Sequence, residues 1–301
     1  MLVLLTTVLT LMVGQTVDDQ SLLWKVYKDP SIPKSYLFGT IHLQDSTVFR
    51  QRDTALTLLS TCRTFAAEIH LDSAATMMMN PRVIMLASGT LYDRLDSTTV
   101  RRLMKLADKR MPGMSALVPR MKPGALAALL SIGEHEATAP EAMDVFLWGF
   151  AKYQRRTLVG LEYVSEQLQV LDTMGVGGLQ RLADDTTDTA ADDLNRMIKA
   201  YAAEDLATLA SMARDSSQMD LDELRNLNDD RNHRMVERMI PLLESGPTFV
   251  AIGALHLTGD ASVLKLLRER GWTVEPVGGG PRSQWIDHHI NRFRTNGNQR
   301  R

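Results

Sequence analysis

Short apolar runs bounded by turn residues cluster towards the two ends of this chain, while its middle is written at helical spacing. Residues 22–27 and 35–42 predict two strands around a turn over 28–34 that contains Pro30 and Pro33. A helix is predicted over 45–59, with Asp45 or Ser46 near its cap, and a third strand over 64–71 (TFAAEIHL). The stretch 73–153 is mainly helical and Met-rich. Ser97 opens one of its helices, and Leu103, Leu106 and Ala107 continue that helix's apolar face. Pro112, Pro119, Pro123 and Pro140 divide the region into short pieces.

Residues 157–162 (TLVGLE) predict a short strand, followed by a helix carrying Glu166 and Gln167. Two more helical stretches, 187–219 and 221–244, end at Gly246-Pro247. Strand 249–255, helix 261–270 and strand 272–277 then close the chain as a βαβ pattern. The fold class that follows is α/β, a central mixed sheet built from both ends of the chain with a large helical insertion at about 73–156. The main domain spans 22–277, and 278–301 forms a polar, basic tail.

Two of the strand-like runs end alike. Tyr36-Leu-Phe-Gly-Thr-Ile-His42 and Phe249-Val-Ala-Ile-Gly-Ala-Leu-His256 both close on Gly-x-x-His. Ligands of open α/β sheets bind beyond strand ends, so the two histidines could meet over one site if their strands are neighbours. At a spacing of two, Thr40 shares a face with His42, Ala254 with His256, Ala66 with Glu68, and Gly160 with Glu162. A small residue therefore stands behind each polar group. Imidazoles with one or two carboxylates suit zinc, manganese or iron, and an activated water is the chemistry such a site supplies. Glu68 within an apolar strand needs a partner, either a metal or Arg231. His70 shares the face of Glu68 and is a further candidate. His135, His233 and the pair His288-His289 read as surface residues.

Composition narrows the function classes. Of 301 residues, 44% are apolar and 23% charged, with a net charge of −2, which gives no electrostatic reason to expect nucleic acid. Cys62 is the single cysteine, which excludes an intrachain disulfide and Cys-x-x-Cys chemistry and leaves a packing role. Neither Gly-x-Ser-x-Gly nor His-Glu-x-x-His occurs, so serine-hydrolase and zincin mechanisms are not encoded. Gly278-Gly-Gly-Pro281 lacks the residues of a phosphate loop. Residues 1–13 are apolar apart from three threonines. That length suits the apolar region of a signal peptide over 1–16 and is too short to span a bilayer. Export to a periplasmic or extracellular space is expected from it. No Lys or Arg precedes the run and no clean Ala-x-Ala follows it; the alternatives are a mis-assigned start or a first apolar strand, and without export the location is cytoplasmic.

Taken in order, Phe38-Gly-Thr-Ile-His42, Ala67-Glu68, Gly160-Leu-Glu162 with Glu166-Gln167, Arg231-Asn232, and Ala251-Ile-Gly-Ala-Leu-His-Leu-Thr-Gly259 resemble the motifs of the TraB/PrgY/GumN family, which includes the TIKI metalloproteases. The likeness runs from about residue 22 to 277. It implies a core related to the erythromycin-esterase and ChaN-like proteins and a metal-dependent hydrolase, most simply a peptidase. A divalent ion (manganese, cobalt or zinc) would be held by His42 and His256, with Glu68 as third ligand or general base. Arg231 and Asn232 would stabilise the oxyanion or orient Glu68, and Glu162 and Gln167 would line the substrate pocket. The same resemblance admits a second class, a non-catalytic binder of metal, haem or peptide. The sequence departs from the family pattern after His256, where Thr258-Gly-Asp260 follows without a second glycine.

Overall fold

In the computed structural model, which describes residues 20–78, 80–131, 138–184, 189–215 and 228–277, β1 (Leu23–Tyr27) turns back to pair antiparallel with β2 (Ser35–Thr40). From there the chain crosses the sheet. Helix α1 (Arg52–Thr61) leads to β3 (Thr64–Ile69), and β4 (Thr157–Glu162) pairs parallel with β3 at one edge. The late strand β5 (Thr248–Gly253) slots between β2 and β3, parallel to both. At the other edge β6 (Thr273–Pro276) pairs antiparallel with β1. The strand order is β4-β3-β5-β2-β1-β6, a mixed sheet whose central strands come from opposite ends of the chain.

Central parallel strands are covered on both faces and read as unbroken apolar runs. That is why Phe249, Val250, Ala251 and Ile252 are all buried. Phe65 stacks on Phe249 with ring centroids 6.0 Å apart and meets Trp148 edge-on. Ala55, Leu56 and Leu59 of α1 are among the helical residues that complete this core.

The insertion between β3 and β4 contains α2 (Leu71–Met78), α3 (Pro81–Ile84), α4 (Ser97–Arg110), α5 (Pro123–Ser131) and α6 (Met143–Tyr153). It splits in two by packing. Helix α6 joins the sheet core through Phe146, Leu147, Trp148 and Phe150. The remainder builds a second core from Leu91, Val100, Leu103, Val118, Met121, Leu126 and Leu130, closed by Leu179 and Ala183 of α7 (Val164–Asp184). Met85, Met104 and Met111 pack against this second core, so these methionines fill space there. Helices α8 (Thr189–Ala202), α9 (Leu206–Asp215), α10 (Asp230–Ser245) and α11 (Val263–Glu269) follow β4 in the chain.

The structure differs from the sequence reading at several points. The 45–59 helix is a 3-10 turn (Ser46–Phe49), capped by Asp45 accepting from the Thr47 N–H, and then α1. The α4 cap is Asp96 rather than Ser97, because the carboxylate accepts from both the Thr98 and Thr99 N–H groups. Both Gly-x-x-His strands stop early, at Thr40 and Gly253, and His256 lies in a 3-10 turn, Ala254–Leu257. In the closing βαβ unit, β6 does not adjoin β5; β2 and β1 lie between them. No helix among the described residues is long and apolar enough to cross a membrane. The predicted signal peptide over 1–16, the tail over 278–301, His135 and His288-His289 lie outside the described residues.

Candidate functional site

All four parallel strands deliver a polar residue at their carboxyl ends. Glu162 ends β4, Glu68 lies one residue before the end of β3, His256 follows β5, and His42 follows β2. This is the edge at which open α/β sheets bind ligands. Register sets the order across it, with Ile69 level with Glu162, Ala67 with Ala251, and Thr40 with Gly253.

Glu68 is the hub. Its Oε1 accepts the Gly253 N–H at 2.6 Å, and its Oε2 accepts from Arg231 Nη2 at 2.6 Å and from Gln167 Nε2 at 3.3 Å. Burial opposes ionisation of this carboxyl, but the Arg231 cation and the hydrogen bonds from Arg231 and the Gly253 N–H offset it. Its pKa lies below the usual carboxylate range. Gly253 permits the contact, since a Cβ there would stand 3.0 Å from Glu68 Oε1. The glycine of the second Gly-x-x-His motif thus serves the glutamate of the neighbouring strand.

Behind Glu68, the Arg231 guanidinium also bonds Glu162, through Nε at 3.0 and 3.1 Å and Nη2 at 2.7 Å. The Glu162 side chain is fully buried, and Gln167 bridges the two carboxylates. Hydrogen bonds to Glu162 and the charges of both glutamates overcome burial and hold Arg231 cationic. Glu166 does different work. It accepts the Tyr163 N–H and pairs in a fork with Arg238, which lowers its pKa to about 2 and fastens the start of α7 to α10.

Hydrogen bonding fixes the tautomer of His256. Asn232, wholly buried on α10, donates through Nδ2 to the Ala261 carbonyl at 2.9 Å, which turns its Oδ1 towards His256 Nδ1 at 2.6 Å. An amide oxygen can only accept, so Nδ1 carries the hydrogen and Nε2 keeps its lone pair. That Nε2 stands 3.6 Å from Glu68 Oε1. Burial depresses the His256 pKa, against the pull of Glu68, so the ring is neutral near pH 7.

His42 has the same arrangement in a more open position. Its Nδ1 lies 2.9 and 3.1 Å from the Asp144 carboxylate oxygens, so Nδ1 donates and Nε2 is again left over. Chiefly through that bond, helped by Glu68, its pKa is raised. Asp144 sits in the first turn of α6, and nothing in the sequence pattern distinguishes it from any acidic residue at a helix start.

His42, Glu68, Arg231 and His256 line one cavity of about 720 Å³, together with Thr40, Gly253 and residues of α8 and α9. Glu162 and Gln167, expected to line the pocket, instead stand behind it as partners of Arg231 and Glu68. Asn232 orients His256 rather than facing the cavity. His70 is directed elsewhere: its Nδ1 is 3.1 Å from Ser73 Oγ and its ring packs edge-on against Trp148. His233 is exposed. Cys62 is buried, its thiol pushed up to about 12 by that burial, which leaves packing as its role.

As donors, two imidazoles with Nδ1 committed and Nε2 available, beside an ionised carboxylate, suit a divalent cation. Among the described residues, however, no three His, Cys, Asp or Glu side chains are drawn into a metal-binding cluster.

A family model described as the TraB/PrgY/gumN family matches residues 22–276. The chain belongs to this family. A curated relative, the metalloprotease TIKI2 of Danio rerio, is 26% identical over 86% of the chain. The chain spans 61% of that relative's length. No solved structure matches. The family match covers every strand of the sheet and each residue of the His256–Glu68–Arg231–Glu162 network.

Proposed function

We propose that this TraB/PrgY/gumN protein is a metal-dependent hydrolase of peptide bonds, acting outside the cytoplasm on a peptide. The observation that carries the reading is the shared state of the two imidazoles. His42 and His256 each donate from Nδ1 to an oxygen and keep Nε2 free, at neighbouring strand ends beside ionised Glu68. Second-sphere acceptors of this kind are what orient metal-binding histidines. The relative named as a metalloprotease supports the same class.

In this reading His42, His256 and Glu68 hold a manganese, cobalt or zinc ion. When bound, such an ion supplies a Lewis acid and an acidified water. Glu68 acts better as an anionic ligand than as a base, because both of its oxygens already accept hydrogen bonds, from Gly253 and from Arg231 with Gln167. Arg231 keeps Glu68 charged and in place, and as a cation lining the cavity it would stabilise charge developing on a substrate oxygen. Asn232 and Asp144 hold the rings so that Nε2 of each is presented.

A second reading is a non-catalytic binder of metal, haem or peptide, and one observation favours its haem or peptide form over a metal centre. The three donors line the cavity without converging as a cluster among the described residues. Turnover separates the two. Purified protein loaded with manganese, cobalt or zinc is incubated with a mixed peptide library, and cleavage is followed by mass spectrometry for wild type, His42→Ala and His256→Ala. Cleavage by wild type alone supports the hydrolase. Binding of library peptides with no cleavage under any of the ions refutes it in favour of the binder.

A further inference from the structure

One wall of the cavity takes no part in the polar network. Leu194 and Met197 of α8 and Leu209 and Met212 of α9 line it, beside the exposed Asp193 and Arg196 of α8. The spacing explains the alignment. Leu194 and Met197 are three apart on one helix, Leu209 and Met212 three apart on the next, so each pair occupies a single helical face. Ile41 and Leu255, one residue before each histidine, extend the apolar lining to the polar corner itself. Helix α9 packs on the 254–257 turn, which ties this wall to the residue that carries His256.

These side chains are not simply core. Leu194, Met197, Ile41 and Leu255 pack on the sheet core yet remain partly exposed, and all four line the cavity. A volume of about 720 Å³ falls within the range of ligand pockets, which are apolar with a few convergent polar groups. Two methionines in the wall add adaptability, since an unbranched thioether side chain refits around ligands of different shape.

We infer that the α8–α9 wall is a side-chain subsite for a bulky apolar residue (Leu, Met or Phe) of a peptide whose backbone lies across the His/Glu corner. The inference rests on the proposed hydrolase reading for the identity of the ligand as a peptide. The subsite needs no metal, because it recognises the side chain by removing its apolar surface from water.

The test is calorimetric titration of the full chain with blocked Ala-Ala-X-Ala-Ala peptides, where X is Leu, Met, Phe, Ser or Asp. Wild type is compared with Met197→Gln and Met212→Gln, each checked for folding by circular dichroism. The Leu, Met and Phe peptides should bind roughly ten-fold more tightly than the Ser peptide, with Asp weakest, and each variant should remove most of that preference. Equal binding across the series, binding of none of them, or a preference unchanged in both variants overturns the subsite. Hydrolysis of the same peptides by metal-loaded protein is scored separately. Apolar preference without cleavage upholds the subsite and counts against the hydrolase; cleavage without preference does the reverse.

Discussion

His256 Nε2 and Glu68 Oε1 face each other at 3.6 Å, and in the tautomer set by Asn232 neither atom carries a hydrogen. Two acceptors, one on β3 and one in the turn that follows its parallel neighbour β5, with the carboxylate ionised, form a place for a cation. Everything around them maintains that state: Asn232 holds the imidazole hydrogen on Nδ1, and Arg231 with the Gly253 N–H keeps the carboxylate ionised.

Asn232→Ala should release His256 from this tautomer. The expected result is a 10- to 100-fold loss of metal affinity, roughly the effect of removing an outer-sphere partner. Nitrogen-15 NMR of the histidine rings should report Nδ1–H for His256 in wild type and a mixture in the variant. An Nε2–H signal in wild type would contradict the tautomer.

Arg231 lies between two carboxylates; its removal strips Glu68 of its guanidinium and leaves Glu162 with only the more distant cation of Arg234, at 3.9 Å. Arg231→Met should destabilise the fold by roughly 3–5 kcal/mol, as breaking a buried ion pair from one side does. Adding Glu162→Gln should restore part of that loss, because the fully buried carboxylate no longer requires a cation. Denaturant titration of the two variants reads the difference; additive losses would mean that Glu162 and Arg231 are not coupled.

Glycines at the two sides of β3 should fail differently. A Cβ at Gly160 would stand 2.4 Å from the His70 backbone nitrogen, and only the backbone could yield. Gly160→Ala should therefore cost roughly 1–3 kcal/mol of stability. At Gly253 the obstacle is the Glu68 carboxylate at 3.0 Å, a side chain that can turn. Gly253→Ala should stay closer to wild type in stability while losing metal affinity. Equal stability losses in the two variants would show that Glu68 is not the group displaced.

The pH dependence of metal binding follows from His42. Its Nδ1 already holds a hydrogen, so protonation falls on Nε2, the ligand atom. Because its pKa is raised, metal affinity should decline as the pH falls through a value above the ordinary histidine range. Asp144→Asn removes the main cause of that shift, so the midpoint of the profile should move to lower pH. A midpoint that stays in place or moves up would exclude His42 as the titrating ligand.

The sheet was legible because its strands are the apolar runs, and His42, Glu68, Glu162 and His256 were legible because each stands at or near a strand end. The strand ends themselves were read two residues too far at both histidines, since a 3-10 turn such as Ala254–Leu257 continues an apolar sequence without continuing the ladder. Arg231 as partner of Glu68 followed from the cost of burying a lone carboxylate. The inward position of Glu162 did not, because alternation along β4 does not say that a guanidinium from α10 covers it. Asp144 and the α8–α9 wall were invisible for a related reason. A helical stripe and an acidic first turn look the same whether they face a core, a cavity or water.

The measurement that bears most directly on the site is metal content by mass spectrometry, on wild type, His42→Ala, His256→Ala and Glu68→Gln purified without chelators and then loaded with manganese, cobalt or zinc. One ion per wild-type chain, lost in all three variants while their circular dichroism is unchanged, is the expected result. No bound ion in wild type, or an ion retained when either histidine is removed, would contradict a shared centre at the ends of β2, β3 and β5.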